Sequence, residues 1–216
     1  MEEKNRLNAA TAGTALMIAF LMFVNYLTSP HVIWFLYPSL VLLLLTMSLS
    51  LWKKKQPKLL SLLSSTIIIL FFIINNMLYS PEHPWFLYAM FPVLWWPIVL
   101  YSGNYAETMQ FALIGSGITI LYYTLLNVFL SPQYPWFIYP AFAVLWWPIG
   151  LYFGTNKKFF ALSIVGSSLI IIFFIAVNAF SSPETVWAVY PIFSVIWWPL
   201  SLYYFSFKKS KVNSIN

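Results

Sequence analysis

Long apolar runs alternate with short polar breaks along the whole chain. Each run is close to the roughly 20 residues that an α-helix needs to cross a hydrocarbon core about 30 Å thick. The pattern therefore predicts an all-α polytopic membrane protein with eight transmembrane helices. These spans are expected at residues 9–28, 33–51, 59–79, 85–101, 108–130, 136–153, 159–180 and 187–206.

The polar breaks recur at a constant spacing of 51 residues, the separation of Asn25 from Asn76. A period of this length indicates one duplicated supersecondary unit. We expect four tandem helical hairpins, arranged as parallel repeats within a single membrane domain at 1–216. Their boundaries are 1–52, 53–103, 104–154 and 155–207, followed by a basic tail at 208–216. The residues that keep the spacing are Asn25, Asn76, Asn127 and Asn178, then Trp34, Trp85, Trp136 and Trp187, then Tyr37, Tyr88, Tyr139 and Tyr190.

Composition agrees with a lipid environment. Hydrophobic residues make up 61% of the chain and charged residues 7%, whereas about a quarter of a soluble domain is charged. The chain contains no cysteine, which excludes disulfides, thiol nucleophiles and cysteine-ligated metals. We expect no cleaved signal peptide, because the first apolar run is long enough to stay in the membrane and lacks a small-residue cleavage pattern.

The basic residues predict the orientation. All eleven lie on one side of an eight-span arrangement, and the four Ser-Pro loops on the other side contain no Lys or Arg. By the positive-inside rule, both termini are expected to be cytoplasmic, with the protein in the plasma membrane. The positive charge thus indicates topology and attraction to anionic lipid, not a nucleic-acid partner. The residues are Lys4, Arg6, Lys53, Lys54, Lys55, Lys58, Lys157, Lys158, Lys208, Lys209 and Lys211.

Small residues recur in the first helix of each hairpin. Because no hydrophobic force draws helices together in lipid, small side chains favour association by allowing close backbone approach. We expect helix-crossing points at Gly13-Thr14, Ser64-Ser65, Gly115-Ser116 and Gly166-Ser167.

The repeated asparagine lies near the end of the first helix, and an amide in hydrocarbon needs hydrogen-bond partners. The repeated tyrosine lies at a similar depth on the second helix. We therefore predict a structural clamp between Asn25, Asn76, Asn127 or Asn178 and Tyr37, Tyr88, Tyr139 or Tyr190. A clamp to the backbone and a ligand or pore contact remain alternatives.

The second helix is expected to begin at a proline, in Pro84-Trp85 and Pro135-Trp136, with the aromatic residues at the membrane interface. Deeper in this helix stands Trp-Trp-Pro, whose proline should kink the helix or free the carbonyl at Val93, Val144 or Val195. The tryptophans predict a packed aromatic core or, alternatively, a cavity wall. They are Trp95, Trp96, Trp146, Trp147, Trp197 and Trp198; the first repeat has Leu44-Leu45-Thr46 instead.

These motifs resemble a known family. The stretches Trp136-Phe137-Ile138-Tyr139-Pro140, Trp146-Trp147-Pro148 and Trp197-Trp198-Pro199 are similar to the two-TM domain, a bacterial two-helix membrane hairpin that sometimes follows a helix-turn-helix regulator. The resemblance covers the chain as four hairpins, although the first departs from it after Pro38. It implies a membrane hairpin and no particular activity, because that family has no established chemistry.

Catalytic chemistry has little support in the sequence. The predicted spans contain no ionisable residue well inside them, unlike proton-coupled carriers and intramembrane hydrolases. His31, Glu82, His83 and Glu184 are suitable zinc ligands, but we expect them to be solvated loop residues. No enzyme, cofactor or metal site is predicted.

Two functional hypotheses remain. The first is a non-catalytic module for envelope sensing, protection or scaffolding, which binds a membrane-protein partner, a second copy, a lipid or an amphiphile. The second is a passive channel or transporter for a small neutral or hydrophobic solute, lined by Asn, Tyr and Trp. The first is favoured because it requires no pore and no intramembrane charge.

Overall fold

A computed structural model describes residues 2–205, with the side chains of residues 2–4, 6 and 53 left out. Within that range the chain forms eight α-helices and one short 3-10 helix, and no strand. The α-helices are α1 Glu2–Thr28, α2 Leu36–Lys53, α3 Pro57–Tyr79, α4 Phe86–Ser102, α5 Met109–Leu130, α6 Ile138–Thr155, α7 Phe159–Ser181 and α8 Val189–Tyr203; the 3-10 helix is Gly103–Glu107.

Every predicted span coincides with one of these helices. Five helical segments are long and apolar enough to cross a membrane: Leu7–Thr28, Pro57–Tyr79, Phe86–Glu107, Met109–Leu130 and Phe159–Ser181. Two further apolar helices, in α2 and α8, are shorter. The all-helical fold with several membrane-compatible helices is therefore confirmed.

Some of the predicted segments and basic residues fall outside the described part of the chain. The tail 208–216, with Lys208, Lys209 and Lys211, lies outside the described residues, as do the ends of the predicted span 187–206 and of the repeat 155–207. The side chains of Lys4, Arg6 and Lys53 lie outside them as well.

The chain divides into two compact units, Met1–Gly103 and Asn104–Asn216. The boundary coincides with the predicted boundary between the second and third repeats. In the first unit α1 packs on α2, α2 on α3 and α3 on α4; in the second, α5 packs on α6, α6 on α7 and α7 on α8. Each unit therefore holds two hairpins, joined by contact between the second helix of one and the first helix of the next.

The helix interfaces are built from small and polar residues. Among the described residues, thirteen polar side chains are buried but only six hydrophobic ones. Many large apolar side chains lie on the surface instead, such as Phe129 and Met77, which are 77% and 71% exposed. This distribution is the reverse of a water-soluble core and is typical of helices that pack within lipid.

Candidate functional site

Each repeated asparagine binds the loop that follows its helix. In the fourth hairpin, the Asn178 Nδ2 group donates to the backbone carbonyls of Ser182 at 2.8 Å and Thr185 at 2.7 Å. Its Oδ1 atom accepts a hydrogen bond from the backbone N–H of Ala188 at 2.9 Å. One side chain thus satisfies two carbonyls and one amide that have no partner in the adjoining helices.

The same three bonds occur in every hairpin. The amide donates to the carbonyls four and seven residues ahead and accepts from the backbone N–H ten residues ahead, in Asn25, Asn76, Asn127 and Asn178 alike. We call this set of contacts the loop bracket. All four asparagines are only 3 to 7% exposed. Both amide hydrogens and the amide oxygen are therefore already used.

The predicted Asn–Tyr pairing is wrong. None of the four asparagines is bonded to the tyrosine of its own hairpin; the backbone alternative describes all four. The reason is distance along the chain: the loop carbonyls that the amide reaches lie four and seven residues after the asparagine, whereas the tyrosine lies twelve residues after it. The tyrosines have other partners. Tyr37 donates its hydroxyl hydrogen to the Oδ1 atom of Asn75 on the next helix at 2.8 Å, whereas Tyr190 is 75% exposed.

Two other tyrosines contact an aromatic residue of the loop. The ring of Tyr88 lies 5.6 Å from that of His83, and the hydroxyls of Tyr139 and Tyr134 are 2.8 Å apart. The hydrogen bond with Tyr139 raises the pKa of Tyr134 to about 12, with smaller contributions from desolvation and from the neighbouring charge. Both members of this pair lie at the loop, where they are accessible to solvent.

The second helices begin later than predicted. Pro84 and Trp85 belong to the turn, since the Trp85 N–H donates to the His83 carbonyl at 2.8 Å, and α4 starts at Phe86. The Phe86 N–H is the one held by the loop bracket at Asn76. The bracket therefore sets the helix start, and the proline precedes it.

A hydroxyl reaches each carbonyl that a Trp-Trp-Pro proline leaves without its helical N–H. Ser65 donates to the Val93 carbonyl at 3.1 Å, four residues before Pro97. Ser116 donates to Val144 at 3.2 Å and Ser167 to Val195 at 3.4 Å in the equivalent places. The serines that the sequence marked as crossing points therefore also complete the hydrogen bonding of the partner helix.

The first hairpin solves the same problem with two threonines. Thr46 stands where the other hairpins have proline, keeps its own N–H, and donates its hydroxyl hydrogen to the Leu42 carbonyl at 2.9 Å. The Thr14 and Thr46 hydroxyls are 2.6 Å apart, so Thr14 is the donor in that bond. This substitution is visible in the sequence. The second, third and fourth repeats have serine on the first helix and proline on the second, whereas the first repeat has Thr14 and Thr46 at those two positions.

Gly13 and Gly166 occupy the same repeat position in the first helix of their hairpins, but only Gly166 is enclosed by neighbouring side chains. A Cβ atom on Gly166 would lie 2.8 Å from the Trp198 ring and 2.9 Å from the Trp146 ring. A Cβ atom on Gly13 would meet nothing within 4 Å. Gly166 is therefore a crossing point. At Gly13-Thr14 the contact with α2 is made by Thr14, whose hydroxyl lies 2.6 Å from that of Thr46, while the Gly13 position itself is open.

The six tryptophans of the Trp-Trp-Pro motifs do not form a buried core. Trp96 and Trp197 are 44% and 58% exposed, and the other four are partly exposed. Trp147 packs edge-on against Phe111 of α5 at 5.6 Å. Trp146 and Trp198 pack directly on Gly166, so these indoles use the space that a small residue leaves on the facing helix.

An open groove of about 990 Å³ lies along α1 and α2. Its lining is mainly apolar and includes Ala15, Ala19 and Met22 of α1 and Leu43 and Met47 of α2. We call it the α1–α2 groove. Its volume lies at the upper end of the roughly 300–1,000 Å³ of ordinary ligand pockets.

Small side chains account for the α1–α2 groove. Where α1 has Ala19, the equivalent helices carry Leu70, Leu121 and Ile172. The second helix of this hairpin also lacks the paired indoles, having Leu44-Leu45 instead. The second difference is plain in the repeat pattern. The first is an unpredicted feature, although Ala19 stands at the repeat spacing of three larger residues.

A smaller cavity of about 430 Å³ lies between α7 and α8, next to the loop bracket of Asn178. It is lined in part by Ala188 and Val189, and Ala188 stands where the other hairpins have phenylalanine. Among the described residues, no group of three or more His, Asp or Glu side chains is placed to hold a metal ion.

Comparison with protein-family models, with curated proteins and with solved structures found no significant match for this chain.

Proposed function

We propose that the protein is a non-catalytic bacterial plasma-membrane protein that holds the apolar chain of a lipid or amphiphile in the α1–α2 groove. The observation that carries the proposal is the groove itself, about 990 Å³ with an apolar lining. In this role it acts in envelope sensing, protection or scaffolding. A linear hydrocarbon chain fits because the groove follows the length of two helices and exposes few polar groups.

The polar groups of the lining suit the end of such a molecule. Tyr26 and Ser50 are among the lining residues, and the hydroxyl of each can donate one hydrogen bond, whereas the Thr11 hydroxyl already donates to the Leu7 carbonyl at 2.9 Å. An amphiphile with a small polar head would therefore find both an apolar surface and a few donors, which is the usual composition of a ligand pocket.

A passive channel is the weaker alternative. Its lining was expected to use the asparagines, yet their amide groups are fully bonded to the loops. The crossing serines are likewise bonded to the carbonyls of Val93, Val144 and Val195. Polar groups that are satisfied inside a hairpin contribute little to a path for solute.

The proposed arrangement has eight spans and both termini in the cytoplasm. The segregation of Lys and Arg supports it. The chain lacks cysteine, so single cysteines at Gln133 and Lys157 can be labelled selectively in intact cells. A membrane-impermeant maleimide should label Gln133→Cys and leave Lys157→Cys unlabelled until the cells are opened. Equal labelling of both in intact cells would contradict the topology.

Lipid binding can be tested with stearic acid that carries a nitroxide near the end of its chain. Electron paramagnetic resonance of the purified, delipidated protein should show an immobilised component. Ala19→Trp fills the α1–α2 groove and should abolish this component. Leu121→Trp is the matched control, because Leu121 occupies the same repeat position and is 60% exposed. If both variants keep the component, or both lose it, the groove is not the binding site.

A further inference from the structure

Aromatic residues make the contact between the second helix of one hairpin and the first helix of the next. In the second unit, the rings of Phe142 on α6 and Phe173 on α7 are stacked at 4.1 Å. Tyr139 meets Phe173 edge-on at 5.7 Å, and the Trp146 ring covers Gly166. Three aromatic residues of one helix thus dock on a phenylalanine and a glycine of the other.

The first unit shares one of these contacts. Tyr37 of α2 meets Phe71 of α3 edge-on at 5.4 Å, and its hydroxyl is bonded to Asn75. Tyr37 occupies the repeat position of Tyr139, and Phe71 occupies that of Phe173. The Tyr–Phe contact is therefore shared by the two units, whereas Leu40, Leu44 and Ser64 of the first unit stand where the second has Phe142, Trp146 and Gly166.

The last described helix presents the aromatic half of this surface uncovered. Tyr190, Phe193 and Trp197 of α8 occupy the repeat positions of Tyr139, Phe142 and Trp146. They are 75%, 63% and 58% exposed, respectively. By comparison, Tyr139 is 43% exposed.

The first helix presents the receiving half. Gly13 and Phe20 of α1 occupy the repeat positions of Gly166 and Phe173. Phe20 is 59% exposed, and nothing lies within 4 Å of the place where a Gly13 Cβ would stand. These two residues lie on a different face of α1 from Ala15 and Ala19 of the α1–α2 groove, so the two surfaces are separate.

We propose that α8 of one chain docks on α1 of a second copy of this protein, with Trp197 over Gly13 and Phe193 against Phe20. Continuity with the internal interface identifies the partner: each exposed half is the counterpart of a surface that the chain already pairs with itself. A glycine at the contact admits the indole, as Gly166 admits Trp146. The contact joins two different surfaces, so it is heterologous.

Cross-linking tests the contact, since the native chain has no cysteine. Gly13→Cys and Trp197→Cys are introduced on two copies with different tags, which are co-expressed and treated in membranes with a short bis-maleimide. The expected product has the mass of two chains and carries both tags. The matched control is Ala15→Cys with Trp197→Cys, because Ala15 lies on the groove side of the same helix. This pair should give no product with the mass of two chains.

Two results would overturn the proposal. One is equal cross-linking of Trp197→Cys to residues 13 and 15, or none to residue 13. The other is a product with the mass of a single chain when Gly13→Cys and Trp197→Cys are placed on one copy. A second measurement is independent of cysteine chemistry: Trp197→Ala should reduce the mass measured by sedimentation in mild detergent, whereas Trp96→Ala should leave it unchanged. An unchanged mass in Trp197→Ala would also contradict the docking.

Discussion

Asn25 in the first hairpin and Asn178 in the fourth hold the same three backbone groups of their loops. The helices beneath those loops differ. Gly166 is enclosed by two indoles, whereas Gly13 is open, and a threonine replaces the proline of α8. The comparison separates two tasks within one repeat: closing the loop, which every hairpin does identically, and packing the helices, which each hairpin does with its own side chains.

The largest effect is expected where the two hairpins agree. Asn178→Ala and Asn25→Ala each remove three hydrogen bonds, and at about 1 kcal/mol per bond each should lower the free energy of unfolding by about 2–3 kcal/mol. Denaturation in detergent, followed by circular dichroism, measures both.

Asn156→Ala serves as the control for these variants, because Asn156 is exposed and makes one bond, to the Tyr152 carbonyl. Its effect should be within about 0.5 kcal/mol. A large difference between Asn25→Ala and Asn178→Ala would show that loop closure is not the same in the two hairpins.

The next effect should appear where the hairpins differ. Gly166→Ala places a methyl group against the rings of Trp146 and Trp198, and overpacking of this kind costs about 1–3 kcal/mol. Gly13→Ala at the equivalent position meets open space and should not destabilise single chains. Thermal unfolding of both variants in detergent is the measurement. Equal destabilisation would mean that the enclosure of Gly166 has no energetic consequence.

A smaller effect is expected at the hydroxyl of Ser167. It is bonded to the Val195 carbonyl, which lacks a helical N–H because of Pro199. Ser167→Ala should cost about 0.6 kcal/mol, the average for side-chain hydrogen bonds in membranes. The cost should vanish in a Pro199→Ala background, where residue 199 regains an N–H. Thr14→Ala should cost less than Ser167→Ala, since Thr46 still satisfies Leu42. Strict additivity of Ser167→Ala and Pro199→Ala would contradict this explanation.

The smallest effect concerns the Tyr134–Tyr139 pair of the third hairpin, which has no counterpart in the first or fourth. The pKa of Tyr134 is raised from its ordinary value near 10 to about 12. The neutral phenol is therefore favoured in the folded state, and this contribution to stability is present below pH about 10 and lost as the pH rises through about 12. Ultraviolet titration of phenolate should show one late tyrosine, and Tyr139→Phe should return it to the ordinary range. An unchanged titration curve in Tyr139→Phe would contradict the pairing.

The sequence was sufficient for the helices because apolar run length and repeat spacing determine them directly. It was also sufficient to identify Asn178 and Pro199 as structurally important. It did not identify the loop groups that bind Asn178, nor Ser167 as the donor to the carbonyl that Pro199 leaves free. Asparagine was matched with tyrosine by depth alone, whereas the backbone carbonyls of Ser182 and Thr185 are nearer. The positions of backbone groups in a loop do not appear in a pattern of side chains. For that reason the sequence offered the loop bracket only as one of several alternatives.

The tryptophans show a second limit. Their spacing was clear, yet burial depends on what the facing helix offers. Trp146 finds Gly166, while Trp197 finds no partner helix in the described chain and stays 58% exposed. Exposure cannot be read from a repeat, because equivalent residues in different hairpins have unequal neighbours.

The loop bracket also bears on the order in which the protein is assembled during synthesis. Each bracket spans at most ten residues, as from Asn25 to the Phe35 N–H. Contacts this local need little loop-closure entropy and form early. A hairpin can therefore close as soon as its second helix has begun to emerge from the ribosome, before the next hairpin exists. The backbone groups held by the bracket then need no distant part of the chain to satisfy them.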